Sequence, residues 1–206
     1  MKVRHGDFEN LRADPRKWAR AQIAPTTRPS MSYAHLARMA IYRYHKTKDL
    51  DDALRSLHKY ADSHKRHNAK KLDEAEGRVT AYVAWLATAQ PVVVKVKLNV
   101  RFGLMPDMYL AGELPRIDID LSTGGYNAML IQETDNAWQT ELRLPLLQLA
   151  VASRLERDPA DVSIGLQVMD DWSDIQVVRF SDVELQTALT EAQALCSAAL
   201  GELNRP

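Results

Sequence analysis

At Gln90-Pro91 the hydrophobic period of this chain changes. Before it, in "LDEAEGRVTAYVAWLATA", Val79, Tyr82, Val83 and Leu86 recur at spacings of three and four, the interval of one helix face. After it, in "VVVKVKLNVRF" (92–102), Val94, Val96, Leu98 and Val100 alternate with Lys95, Lys97, Asn99 and Arg101, as in a strand with one polar face. Neither pattern can keep its apolar residues on one side in the other conformation. The chain therefore reads as helices up to residue 90 and a sheet after it.

The remaining elements follow from the same signals. "FENLRADPRKWARAQ" is helical, with Pro15 near a helix start. "APTTRPS" (24–30) is a connector. Ser32 is placed to cap "YAHLARMAIYRYHK", and "DLDDALRSLHKYADSHKRH" puts Leu54, Leu57 and Tyr60 on one face. Beyond residue 91, "MYLAGELPRIDIDL" reads as a second strand with Pro115 in an awkward place, since proline cannot donate to a ladder. "YNAMLIQE" is a nearly all-apolar, central strand, reached through a turn at Gly124-Gly125. "AWQTELRLPLLQLAVASRLE" is a helix, "VSIGLQVMD" and "SDIQVVRF" are strands about Asp170-Asp171, and Ser181 with Glu184 forms a capping box for the last helix. From residue 72 the order is α-β-β-β-α-β-β-α, a mixed sheet covered by helices. The expected organisation is a helical region over 1–90 packed on an α/β core over 91–206, together one compact unit.

The sheet region carries a pattern with chemical content. Gly112-Glu113-Leu114-Pro115-Arg116-Ile117-Asp118 is followed by Gly124-Gly125-Tyr126, then Leu130-Ile131-Gln132, then Glu141-Leu142-Arg143-Leu144-Pro145-Leu146-Leu147, with "ADPRKWARA" upstream. These blocks resemble the RecB-like branch of the PD-(D/E)XK nuclease superfamily. That branch shows G-x-I-D-R-I-D, a Gly-rich turn, a strand ending Asp-Tyr-Lys and a helix beginning Gln-Leu-x-x-Tyr. The resemblance implies a restriction-endonuclease-like mixed sheet with an α-β-β-β-α-β core. Hydrolysis in that family needs two carboxylates to hold Mg²⁺ and a lysine to activate the water. Position by position, the first carboxylate falls on Pro115, the second on Leu130 and the lysine on Gln132. The expectation is a degenerate nuclease with no catalytic residues and no cofactor.

A shifted register offers a fallback. Asp118, Asp120 and Glu133 are carboxylates of the same hairpin, and Asp118 to Glu133 has the same separation as Pro115 to Leu130. A three-residue slip would restore an acid pair, and Mg²⁺ would then be required. The slip reverses the side-chain faces, abandons the Gly112 match and places Asp135 where the lysine belongs.

Composition narrows the partners. Residues 1–90 hold 18 Lys+Arg against 10 Asp+Glu, and residues 91–206 hold 9 against 17. The densest basic run, "SHKRHNAKKL", carries Lys65, Arg66, Lys70 and Lys71; on a helix Arg66 and Lys70 are four apart, and His67 and Lys71 likewise, so each pair can share a face that meets a phosphate backbone. The same residues serve equally to dock an acidic partner or to keep a helix soluble. The acidic second part favours a protein-binding scaffold, because it would repel phosphate. His58, His64 and His67 with Asp62 offer zinc-like spacing, but an exposed helix of Lys and His carries such spacing more often without metal. Cys196 sits in apolar "ALCSAAL" and reads as a buried thiol; Trp18, Trp85, Trp138 and Trp172 read as core before base-stacking platforms. The single cysteine excludes an internal disulfide and fits a reducing compartment, and no apolar run approaches the roughly 20 residues of a membrane span.

Three readings stand at this stage. One is a catalytically inactive, cytoplasmic nuclease-fold subunit that binds DNA or RNA in a DNA-processing or antiviral-defence complex. The second is a protein-binding scaffold without nucleic-acid contact. The third is an atypical metal-dependent nuclease using Asp118 and Glu133.

Overall fold

The computed structural model describes residues 1–23, 31–133 and 138–203. The connector at 24–30 and Asp135 lie outside the described residues. The elements in chain order are β1 (Lys2–Arg4), a 3-10 turn (His5–Asp7), α1 (Phe8–Ala13), α2 (Pro15–Ile23), α3 (Tyr33–Thr47), α4 (Leu50–Ser63), α5 (Ala69–Ala89), β2 (Val92–Met105), β3 (Met108–Ile119), β4 (Tyr126–Gln132), α6 (Arg143–Leu155), β5 (Val162–Val168), β6 (Asp171–Val178) and α7 (Asp182–Leu203). No helix among the described residues is long and apolar enough to cross a membrane.

Local chemistry sets many of the boundaries. Pro15 opens α2, where its missing N–H costs nothing. Ser32 Oγ accepts from His35 N at 3.1 Å at the start of α3. Ser181 and Glu184 close a reciprocal capping box, with Ser181 N donating to Glu184 Oε2 at 2.8 Å. Pro145 lies in the first turn of α6, where a proline N needs no acceptor. The helix is shorter than its apolar pattern suggested, beginning at Arg143.

Five strands run in the order β1-β3-β4-β5-β6, and β2 pairs β3 on its other edge. β2, β3 and β4 form an antiparallel meander; α6 then crosses to bring β5 parallel to β4, and β6 returns antiparallel. The succession α5-β2-β3-β4-α6-β5 is the α-β-β-β-α-β core of a restriction-endonuclease-like fold.

Helices cover both faces. Leu130 and Ile131 are consecutive and buried, and they join different cores, as a two-residue period requires. One core packs Phe8, Leu11, Trp18, Leu147 and Ala192 against the sheet; the other packs Leu36, Ile41, Leu57, Val79 and Tyr82. Trp138 and Cys196 are fully buried in the first core, and burial raises the Cys196 thiol to about 11.

β3 changes face part-way along. Leu110, Leu114 and Ile117 all reach the first core, so the alternation slips by one between Leu114 and Ile117. The slip falls at Pro115. Lys97, the β2 residue that lies opposite it, has φ +58° and no register pair, so the ladder is interrupted where the proline has no N–H to donate. Beyond the slip, Arg116 and Asp118 turn toward Tyr82 and Trp85.

Candidate functional site

One edge of β3 is shared by two strands. β1 runs beside its first part, with Arg4 opposite Ala111. β4 runs beside its second part, beginning with Arg116 opposite Met129. Residues 112–115 lie between these two pairings, and a cavity of about 470 Å³ opens there. Pro115, Leu130 and Gln132, which the sequence aligned with the catalytic positions, all line it.

Three arginines stand among the remaining lining residues. Arg4 comes from the end of β1 and His5 from the turn after it; His35, Arg38 and Tyr42 come from one face of α3, and Arg143 is the first residue of α6. Arg38 Nη1 donates to the Ile131 carbonyl at 3.2 Å, which ties α3 to the end of β4. Arg143 bonds Glu141. Arg4 is exposed and has no partner among the described residues. Glu113 is the one carboxylate among the described residues lining the cavity. The Tyr42 hydroxyl donates to it at 3.1 Å, and Lys97 Nζ stands 3.6 Å away.

His5 registers this field. Burial, then Arg143 and Arg38, lower its pKa to about 4, and its Nδ1 is enclosed without a partner among the described residues. His35 is lowered as well, by burial and then Arg38. The glycine of the Gly112 block has a local reason here. A Cβ at residue 112 would lie 2.8 Å from His5 Cδ2, so any larger side chain would displace the ring.

These donors do not fit Mg²⁺. A hard dication takes several oxygen ligands, chiefly carboxylates and waters. Among the described residues the cavity offers one carboxylate, already held by a tyrosine and a lysine, among three arginines. Among the described residues no cluster of three or more His, Cys, Asp or Glu could hold a metal.

The fallback acids are not brought together. Asp118 pairs with Asn127 in the β3/β4 register, and Glu133 lies six residues beyond Asn127. At roughly 3.3 Å per residue that is about 20 Å along the strand. Asp118 is buried with Arg116, whose Nε stands 2.8 Å from both of its oxygens. Glu133 pairs with Arg78 at 3.0 Å, which also holds Asp170. Asp120 accepts from Ser122 N and Oγ in the β3–β4 turn, where Gly124 has φ +75°.

The basic run is a corner between two helices. α4 ends at Ser63, Lys65 takes φ +54°, and Asn68 caps α5 by accepting from Lys71 N at 3.1 Å. Lys65, Lys70 and Lys71 are exposed, Arg66 is half-buried, and none of the four lines the cleft. Of the histidines read beside them, His58 pairs with Glu76 at 2.8 Å and His64 Nδ1 bonds the Tyr60 carbonyl at 2.9 Å. Trp18, Trp138 and Trp172 are buried, and Trp85 lies against Arg116.

The site's cations escaped sequence reasoning because they come from β1, α3 and α6, far apart in the chain. The −8 balance of residues 91–206 does not describe the cleft, since Arg4 and Arg38 fold into it from the basic part.

Comparison with solved structures agrees on the fold. A "putative exonuclease" from Eubacterium rectale superposes with a TM-score of 0.60 and 11% identity, covering 98% of this chain and 81% of that one. At that identity the likeness shows a nuclease-like fold alone. A second structure, of SSO0001, gives a TM-score of 0.37 at 10% identity, covering 92% of this chain and 85% of that one, and carries no argument. No protein-family model and no curated protein matches the chain.

Proposed function

We propose that this chain is a degenerate member of the RecB-like branch of the PD-(D/E)XK superfamily that binds nucleic acid without cutting it. In this reading it is a cytoplasmic subunit of a DNA-processing or antiviral-defence assembly. The observation that carries it is the content of the cleft. Pro115, Leu130 and Gln132 stand where hydrolysis needs two carboxylates and a lysine, and Arg4, Arg38 and Arg143 surround them. Fixed guanidiniums attract phosphate, whereas proline and leucine side chains supply no metal ligand. Lys65, Arg66, Lys70 and Lys71 form a second basic surface that extends the contact with the backbone.

Pure protein incubated with single- and double-stranded DNA and RNA, with Mg²⁺ or Mn²⁺, leaves all substrates intact. Anisotropy at low salt detects binding that weakens steeply as salt rises, because each neutralised phosphate releases counterions. Replacing the exposed Lys65, Lys70 and Lys71 by Glu weakens binding and keeps the fold, since surface changes usually cost within ~0.5 kcal/mol each. Cleavage, or no binding at low salt, overturns the reading.

A protein-binding scaffold is the second reading. It is favoured by β6, which ends the strand order of the sheet and leaves Ile175 and Val177 exposed at 40% and 50%. If nucleic acid fails to bind, this edge becomes the leading candidate surface.

A further inference from the structure

We infer that the cleft is a metal-independent site for a phosphate-class anion, held by guanidinium groups. The inference deepens the nucleic-acid reading and rests on it only for the source of the phosphate. Its basis is the convergence of Arg4, Arg38 and Arg143 on one cavity of about 470 Å³, the size of a small-ligand site. Arg4 has no partner among the described residues, and Arg38 spends one hydrogen bond on a carbonyl. Guanidinium forks match the paired oxygens of a phosphate. The enclosed Nδ1 of His5 is a further polar atom without a partner on the same wall.

The surface beside the cavity carries cations as well. A second cavity, of about 560 Å³, shares Arg4, His5 and Glu113 with the first and runs over the sheet past Lys2 and Asn99. Arg4, Ala111 and Arg101 form one cross-strand row across β1, β3 and β2, so their side chains share a face. Arg101 lies 3.9 Å from the centre of the Tyr109 ring on that face. Together they make a groove that carries Lys2, Arg4 and Arg101 beside two carboxylates, Asp7 and Glu113, and adjoins the arginine-lined cavity. A nucleic-acid phosphate or a free mononucleotide supplies the dianion or monoanion such a groove would hold.

The test uses the full chain in EDTA. Sulfate, a fixed dianion, inorganic phosphate, a deoxynucleoside monophosphate and a short single-stranded DNA are titrated by calorimetry, with the His5 ring followed by nitrogen NMR. The expected result is one saturable anion site, insensitive to EDTA, whose filling moves the His5 resonances. His5 is faced by Arg143 of α6, Arg38 of α3 and the Gly112 backbone of β3, with His35 and Glu113 in the same cleft, so an anion there changes its surroundings directly. Arg4→Gln removes no described contact and weakens sulfate binding roughly fivefold. Arg38→Gln weakens it roughly tenfold or more, the scale of a charge-assisted hydrogen bond. Arg38→Lys keeps a donor for the Ile131 carbonyl and controls for folding.

The inference is overturned if the folded wild type binds neither sulfate nor phosphate, or if binding leaves His5 unmoved and is unchanged in both variants. DNA that binds, yet is neither displaced by sulfate nor weakened by Arg38→Gln, also overturns it and leaves the nucleic-acid reading standing. Competition by the mononucleotide but not by DNA supports the site and removes nucleic acid as its source.

Discussion

Asp118→Ala is the perturbation that best separates a structural role for this carboxylate from a catalytic one. Arg116 is 1% exposed. Its Nε contacts both Asp118 oxygens at 2.8 Å, its Nη1 donates to the Tyr82 hydroxyl at 2.9 Å, and its guanidinium carbon lies 4.8 Å from the Trp85 ring centre. Nη2 is buried without a partner among the described residues. Burial raises the Asp118 carboxyl above the usual carboxylate range, and the Arg116 guanidinium offsets only part of that rise. Removing one member abolishes the attraction and leaves the other charge buried, which costs about 3–5 kcal/mol. The ring contact with Trp85 and the tyrosine bond retain only ~1–2 kcal/mol of the arginine's compensation. At roughly 2–4 °C per kcal/mol for a chain of this size, the melting midpoint falls by about 6 °C or more. Urea denaturation reads the change directly. The double variant Arg116→Met, Asp118→Leu recovers most of the loss, because apolar residues of similar volume often replace a buried pair at little cost. An Asp118→Ala midpoint within ~0.5 kcal/mol of wild type, or a double variant worse than the single, refutes the reasoning.

Other consequences are open to measurement. Leu147 is fully buried on α6, and Leu147→Ala destabilises by about 2–5 kcal/mol in the same assay. His5 and His45 are each lowered from 6.5 to about 4, chiefly by burial, so the unfolded chain binds their protons first. Their contribution to stability is fully present above pH 6.5 and is lost as pH falls from 6.5 toward 4. Denaturation midpoints fall over that window, and the slope is shallower in a His45→Gln variant.

What could be read in advance follows from where each signal is carried. The period change at Gln90-Pro91 is local and dense, and it located the α5–β2 junction to within a residue or so. The capping pairs at Ser32 and Ser181 are likewise short-range chemistry. β1 was missed because three residues carry no period, and its partner strand begins more than 100 residues away. The end of α4 at Ser63 was placed late, at His67, because Lys65 takes the left-handed backbone that glycine usually marks. The Arg116–Asp118 pair was visible in principle. Residues two apart on a strand share a face, so an Arg-Ile-Asp triplet places opposite charges side by side. The cleft was only half legible. Pro115, Leu130 and Gln132 lie in the meander and were found by pattern, whereas its arginines meet only through the fold.

The central claim is that the cleft has become a place to hold nucleic acid and does not cut it. The most direct measurement follows one labelled single-stranded DNA for both binding and length, in EDTA and again in Mg²⁺. The account predicts salt-sensitive binding of equal strength in the two buffers, weakened by Arg38→Gln, with the DNA intact throughout. Mg²⁺-dependent shortening of the DNA by the wild type, abolished by Glu133→Gln, would contradict it.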